Sequence, residues 1–149
     1  MNKLFVFPII LVLFVAGCSS DSQANGGAVA DANHVVGVEK LEIYHFHGTH
    51  QCYSCITVGA YAEETVNTYF KDEFDKGIIV FGHINGDLPE NQELVKKYGA
   101  TGSSLWIGTY AKNGSFSAEQ NTNVWYKIDN KEAYMTYLKG VIEQKLAGN

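Results

Sequence analysis

Two cysteines separated by two residues constrain this chain more than any other feature. Cys52 and Cys55 follow an apolar segment and a turn at Gly48, and helix-like sequence follows them. At a helix start the first sulfur is exposed, and the second lies one turn further in. Free N–H groups and partial positive charge at a helix N-terminus stabilise a thiolate. The spacing therefore indicates reversible disulfide chemistry, in which Cys52 attacks and Cys55 resolves the mixed disulfide.

The residues beside the pair are expected to tune its reactivity. A protonated His50 would lower the pKa of the Cys52 thiol further. Tyr53 and Ser54 lie between the cysteines and are uncharged. A static disulfide is the plainer interpretation, but a loop closed by two intervening residues restricts few unfolded conformations and would add little stability.

Histidines near the pair leave a metal-binding interpretation open. His45 and His47 lie on one face of the preceding predicted strand, His50 adjoins the cysteines, and His83 lies on a neighbouring predicted strand. Cysteine with histidine suits copper or zinc, but the spacing here defines no coordination shell. A histidine on a buried strand is more often a hydrogen-bonded core residue. We predict no metal ligands, and copper or zinc handling by the cysteines and nearby histidines remains the alternative.

Length and composition favour one folded domain with additional segments. The chain has 149 residues, of which 46% are hydrophobic and 18% charged, so a core of useful size can form without disulfides. The net charge is −5 and no basic cluster is visible, which gives nucleic-acid binding little support.

The first 36 residues differ from the rest. Residues 4–16 are almost wholly apolar but shorter than the roughly 20 residues that a membrane span needs. The sequence Val15-Ala16-Gly17-Cys18 resembles a lipoprotein signal. That resemblance implies a signal peptide over residues 1–17 and a lipidated Cys18 that anchors the mature protein to a membrane. Residues 18–36, rich in Ser, Asp, Asn, Gly and Ala, are expected to form a flexible tether.

Residues 37–149 are predicted to form an α/β domain. Alternation over 39–47 predicts a strand with Leu41, Ile43, His45 and His47 on one face, opposite Tyr44 and Phe46. A long helix with room for a kink follows over 52–74, then a strand over 78–84 and a short helix that ends at Gly99. A third strand covers 105–110, an Asn-Gly turn follows, and the return strand is placed at 124–128 after an irregular segment over 117–123. A final amphipathic helix completes the order β-α-β-α-β-β-α.

This order, with the cysteine pair at the helix after the first strand, resembles the thioredoxin fold from about residue 38 to 146. Two motifs are similar to a family of small thioredoxin-like proteins, some of which are named as a subunit of nitrophenyl-compound nitroreductase. The motifs are His47-Gly48-Thr49-x-x-Cys52-x-x-Cys55 and Tyr98-Gly99-x-x-Gly102-Ser103-Ser104-Leu105. The resemblance implies a mixed four-stranded sheet with flanking helices and disulfide exchange with a partner protein.

Two positions depart from the thioredoxin pattern. Ser104 aligns with the proline that follows a cis peptide bond in that family. Because a cis bond before a non-proline residue costs roughly 2.5–4 kcal/mol, we expect a trans bond there. Phe46 occupies the position of the buried aspartate that assists proton transfer. Proton transfer would then need water, His45 or His47.

The sequence thus predicts an extracytoplasmic, membrane-anchored thiol–disulfide oxidoreductase. Its expected partners are protein thiols or disulfides, and no organic cofactor is implied because no nicotinamide or flavin fingerprint is present. Besides metal handling, a non-catalytic thioredoxin-like adaptor or reductase subunit remains open, and the Ser104 departure favours it.

Overall fold

The structure, a computed structural model, describes residues 37–148. The predicted signal peptide, the lipidated Cys18 and the tether lie outside the described residues. Within the range described, no helix has both the length and the apolar character needed to span a membrane.

A four-stranded mixed sheet with flanking helices forms the centre of the domain, as predicted. The strands are β1 (Val38–His47), β2 (Ile79–Asn85), β3 (Ser104–Ala111) and β4 (Phe116–Gln120), in the spatial order β2-β1-β3-β4. β1 pairs in parallel with β2 and antiparallel with β3, which in turn pairs antiparallel with β4. The strand that leads into the cysteine pair therefore lies inside the sheet.

Among the residues that the structure describes, four α-helices accompany the sheet. They are α1 (Tyr53–Tyr69), α2 (Lys71–Asp75), α3 (Gln92–Tyr98) and α4 (Lys131–Leu146). The long predicted helix is divided at Phe70, whose φ of −132° and ψ of 26° interrupt the helical backbone. Gly99 ends α3 with a φ of 68°, a conformation that glycine adopts without strain.

The predicted alternation of β1 sets the two layers of the core. Leu41 and Ile43 are fully buried in a cluster with side chains of α1 and α4. The Tyr134 hydroxyl of α4 donates a 2.7 Å hydrogen bond to the Val58 carbonyl of α1, which ties the two helices together. On the other face of β1, Tyr44 and Phe46 pack against Tyr98 of α3. α1 and α3 therefore cover opposite faces of the sheet.

The predicted return strand over 124–128 is wrong. β4 follows the Asn-Gly turn directly and pairs from Tyr110↔Phe116 to Trp106↔Gln120. Residues Thr122–Lys127 instead form a 3-10 helix that buries Val124. Val124 of this apolar segment is buried in the core although the backbone there is helical. By contrast, β4 is a mostly exposed edge strand with little apolar alternation. A tight hairpin pairs the residues nearest its turn, whatever their hydrophobicity.

Candidate active site

Cys52 and Cys55 form a disulfide, with Cα atoms 5.0 Å apart. This separation falls in the ordinary range for disulfides. Cys52 is exposed and Cys55 is partly buried, as expected for a pair at a helix start. A partner can therefore reach the sulfur of Cys52 more readily than that of Cys55.

Cys52 is the N-cap of α1. Its φ of −76° and ψ of 164° are extended, and its sulfur accepts a 3.1 Å hydrogen bond from the backbone N–H of Cys55. The first turn of α1 contains no acidic residue that would oppose a negative charge. In the reduced protein, this N–H and the helix dipole would stabilise a thiolate at Cys52.

Apolar surface lies next to the exposed sulfur. Tyr53 is 81% exposed and Ile56 is 54% exposed, whereas Ser54 is partly buried. Large side chains with this exposure on the first turn of α1 offer contact area to a polypeptide bound at Cys52.

An aspartate holds the loop that leads into the pair. The Thr49 N–H donates to Oδ2 of Asp87 at 2.6 Å, and the side chain of Asn85 donates to the Thr49 hydroxyl at 3.2 Å. The hydrogen bonds from Thr49, together with nearby His50, hold the pKa of the Asp87 carboxyl below its usual value. His50 is exposed and lies within the electrostatic reach of Asp87.

Three histidines, His45, His47 and His83, come together beside α1; we call them the histidine cluster. The Nδ1 atoms of His45 and His83 lie 3.0 Å apart, and the rings of His45 and His47 stack with centroids 5.3 Å apart. Nε2 of His83 lies 3.3 Å from Oε2 of Glu63. These groups line a cavity of about 260 Å³ together with Gln51, Ile56 and Ala60.

His45 is the buried member of the cluster. Its side chain is 1% exposed, and its Nε2 atom has no hydrogen-bond partner. Burial, then the nearby His83 and His47, lower the pKa of His45 to about 4, while the backbone carbonyl of Cys55 acts in the opposite direction. The ring is therefore neutral near pH 7, and its Nε2 atom leaves one hydrogen-bonding position unused.

Metal binding would require several of these side chains to point their ligand atoms toward one ion position. Across residues 37–148, no group of three or more His, Cys, Asp or Glu is placed to hold a metal ion. Nδ1 of His47 donates to the Gly48 carbonyl at 2.9 Å, and His83 pairs with His45 and Glu63.

Ser104 lies on the other face of the sheet. Its peptide bond is trans, as expected, since no cis bond occurs in the described range. The side chain is on the same face as its strand partner Phe46, accepts a hydrogen bond from Trp106 Nε1 at 3.0 Å and donates to the Gly102 carbonyl at 2.9 Å. The Ser104 hydroxyl is therefore engaged on the α3 side, away from α1.

Sequence reasoning missed three residues of this region: Gly59, Glu63 and Asp87. A Cβ on Gly59 would overlap Nδ1 of His45 and lie 2.8 Å from Cε1 of His83, so only glycine leaves room for the cluster. A glycine inside a helix costs about 1 kcal/mol relative to alanine, so Gly59 within the predicted helix was a sequence signal of a packing constraint at this position. Glu63 is exposed and follows no motif, so no sequence pattern predicts its contact with His83.

Comparison with protein-family models and with curated proteins gave no match to this chain.

Proposed function

We propose that this protein is a thiol–disulfide oxidoreductase whose reactive group is the Cys52 sulfur. One observation carries the proposal: the exposed sulfur caps α1 and accepts the backbone N–H of Cys55 at 3.1 Å. A thiolate formed there would be stabilised by the helix terminus and open to a partner disulfide.

The reaction follows from the different exposure of the two sulfurs. In the reduced protein, the Cys52 thiolate attacks a partner disulfide, forms a mixed disulfide and releases one partner thiolate. Cys55 then attacks the Cys52 sulfur, closes the internal disulfide and releases the second partner thiolate. The partner gains two electrons and the cysteine pair loses two. The same steps in reverse oxidise a partner dithiol.

The fold is proposed to be thioredoxin-like. A mixed four-stranded sheet, a central strand that leads into the pair, and a helix that begins at the first cysteine support that assignment. Membership of the small thioredoxin-like family noted above is a proposal on the same grounds. We further propose a signal peptide over residues 1–17 and a lipidated Cys18 with a tether over 18–36, so that the domain over 37–149 acts in an extracytoplasmic compartment.

Redox titration of the full-length chain tests the activity. A Cys18→Ser background leaves only the pair as titrating thiols. We expect reversible reduction at a potential between about −270 and −120 mV and a Cys52 thiol pKa below about 8.5. A pair that stays oxidised below about −300 mV, together with ordinary thiol pKa values, would instead favour the non-catalytic adaptor.

Fatty-acid labelling tests the proposed anchor. The full-length chain, expressed in a bacterial host, should incorporate a radiolabelled fatty acid and sediment with membranes. Cys18→Ser should abolish the label, whereas Cys52→Ser should retain it. Label retained in Cys18→Ser would refute lipidation at this position.

A further inference from the structure

We propose that Asp87 is a positioning residue for Cys52, because its contact with Thr49 holds the loop that places the Cys52 sulfur at the start of α1. This inference rests on the proposed function, since it concerns how readily the attacking thiol ionises. Asp87 would act through Thr49 and takes no part in the exchange of sulfur bonds.

The loop before Cys52 has few contacts of its own. Residues 49–51 lie between β1 and Cys52, and all of them are exposed. β1 is tied to β2 as far as the His47 carbonyl, which accepts from the Gly86 N–H at 2.7 Å. Within the part of the chain that the structure describes, Thr49 makes the hydrogen bonds that join residues 49–51 to the rest of the domain. Because exposed segments with few contacts open most easily, Thr49 is the point at which this loop can be fixed.

Thr49, Asp87 and Asn85 form a closed ring of hydrogen bonds. The Thr49 N–H donates to Oδ2 of Asp87 at 2.6 Å. The Asp87 N–H donates to Oδ1 of Asn85 at 3.0 Å, and Nδ2 of Asn85 donates to the Thr49 hydroxyl at 3.2 Å. The loop before Cys52 is therefore joined to the end of β2 through both the backbone and the side chain of one residue.

The turn that carries Asp87 is itself supported from two sides. Nδ2 of Asn91 donates to the Asn85 carbonyl at 2.8 Å, and Nε2 of Gln92 donates to the Gly86 carbonyl at 2.6 Å. This turn is thus bonded to the start of α3 as well as continuous with β2. A carboxylate on such a support restrains its partner more than one on a free surface loop would.

Gly48 leaves room for the carboxylate. A Cβ at this position would lie 3.2 Å from Oδ2 of Asp87, which is a tight contact. Gly48 is not among the glycines with positive φ, so the close approach of Asp87 favours glycine here. The sequence His47-Gly48-Thr49 therefore combines a strand end, a residue without a side chain and the backbone donor that Asp87 holds.

A fixed loop favours the ionised form of Cys52. The sulfur accepts the Cys55 N–H at 3.1 Å while Cys52 has the extended backbone of an N-cap. In the reduced protein no disulfide restrains the sulfur, so the loop must maintain this geometry. A loop that moved freely would spend less time in it, and the thiolate would lose part of the stabilisation that the helix terminus provides.

The charge of Asp87 acts in the opposite direction. A carboxylate near a thiol disfavours the thiolate, so its removal alone would lower the pKa of Cys52. The other titratable groups that act on Asp87 are His50 and His47, in or beside the same loop. The positioning effect and the charge effect of Asp87 can therefore be separated by the sign of the change.

Alkylation of a single Cys52 thiol tests the proposal. In the full-length chain with Cys18→Ser and Cys55→Ser, the pH dependence of the iodoacetamide rate gives the Cys52 pKa. We expect Asp87→Ala to raise this pKa by about 0.5 and to slow alkylation at pH 6.5 about threefold, since interactions at a helix terminus have effects of this size. Asp87→Asn keeps an oxygen acceptor for the Thr49 N–H and should retain the parent pKa or lower it.

Glu90→Ala is the matched control. Glu90 is exposed and carries the same charge three residues after Asp87, but within the described residues it makes no hydrogen bond to the loop before Cys52. Its alkylation rate should match that of the parent chain. Thr49→Val keeps the backbone N–H and loses the hydroxyl bonded to Asn85, so it should show a smaller change of the same sign as Asp87→Ala. Circular dichroism checks that each variant is folded.

The reduction potential gives a second readout with both cysteines present. A less stable Cys52 thiolate destabilises the reduced form of the pair. In the full-length Cys18→Ser chain, Asp87→Ala should therefore have a more negative potential than the parent, whereas Asp87→Asn should not.

The outcomes distinguish the two proposals. A parent Cys52 pKa at the ordinary value of about 8.5 would refute the proposed function. A lowered parent pKa, together with an unchanged or still lower pKa in Asp87→Ala, would refute the positioning role alone. An equal rise in Glu90→Ala would refute it as well.

Discussion

The Tyr98 hydroxyl donates a 2.8 Å hydrogen bond to Oε2 of Glu42, and this bond connects α3 to the central strand. Glu42 is 7% exposed. Its carboxylate also accepts hydrogen bonds from Lys40, Lys97 and Tyr110, so four donors surround one buried charge. Burial alone would raise the pKa of Glu42, but these bonds bring it to about 2. The network therefore stabilises the ionised carboxylate under a helix of only seven residues.

Replacing Glu42 with glutamine should reduce stability in a pH-dependent way. We expect a loss of about 2 kcal/mol at pH 7, because two lysines lose a buried partner. The folded pKa is below the ordinary value of 4.5, so the stabilisation is present above pH 4.5 and disappears as pH falls toward 2. Urea unfolding across this range should show the parent and Glu42→Gln converging in acid. A gap that stays constant with pH would contradict this assignment.

His45 should govern a separate pH window. Its pKa is about 4 in the folded chain and 6.5 ordinarily, so between these values the unfolded chain binds more protons. Stability should therefore fall as pH drops from 6.5 to 4, by up to about 3 kcal/mol. Urea unfolding of His45→Gln should show a shallower slope in this window than the parent chain. Equal slopes in His45→Gln and the parent would exclude His45 as the titrating group.

Gly59→Ala should destabilise the domain although alanine favours helices. The added Cβ would overlap the His45 ring, and overpacking of this kind costs about 1–3 kcal/mol. Gly140→Ala in α4 is the control, because nothing lies within 4 Å of a Cβ there. It should stabilise the domain by about 0.5–1 kcal/mol. Thermal unfolding of both variants should therefore give shifts of opposite sign.

Tyr134→Phe should remove the bond between α4 and α1 without altering the ring. The hydroxyl donates to the Val58 carbonyl at 2.7 Å in a fully buried setting, so its loss should cost about 1 kcal/mol. Tyr126→Phe, at a side chain that is 87% exposed, should be neutral. Denaturant midpoints measure both changes. Equal midpoints for the two variants would show that the hydrogen bond from Tyr134 to Val58 does not stabilise the core.

The two cysteines should differ when each is left alone. In the Cys18→Ser background, Cys55→Ser leaves the exposed Cys52 thiol, and Cys52→Ser leaves the less exposed Cys55. We expect iodoacetamide at pH 7 to alkylate Cys52 about tenfold faster or more, because the helix terminus lowers its pKa. Similar rates for the two variants would contradict the assignment of Cys52 as the attacking thiol.

Much of the fold could be predicted because its elements have strong local patterns. Alternation defined both faces of β1, and the apolar run around Ile79 defined β2. β4 could not be placed, since its pairing is set by the turn at Gly114 and its exposed side chains show no period. The run around Trp125 looked like a strand because a 3-10 helix with one buried side chain can have the same apolar content.

The site could be predicted only where its chemistry is local. Cys52 and Cys55 are close along the chain, so their spacing alone indicated where the disulfide would form. The contact of His45 with His83 joins residues 38 positions apart on adjacent strands, and Glu63 reaches it from a third element. Such a contact follows from strand register, where His45 pairs with His83, and no pattern in either segment encodes it.

Successive side chains of β1 point to opposite faces, with Glu42 beneath α3 and His45 beneath α1. Sliding the strand by one residue would exchange the two environments. The Glu42 carboxylate would then occupy the place of Leu41 or Ile43 in the apolar core, and one of those two side chains would face Tyr98 and Lys97 in its stead. Each of these displacements would destabilise the fold, and a slide of one residue would cause both at once. The strand that leads into the disulfide thus has one favoured register, which is set by the ionisable side chains on its two faces.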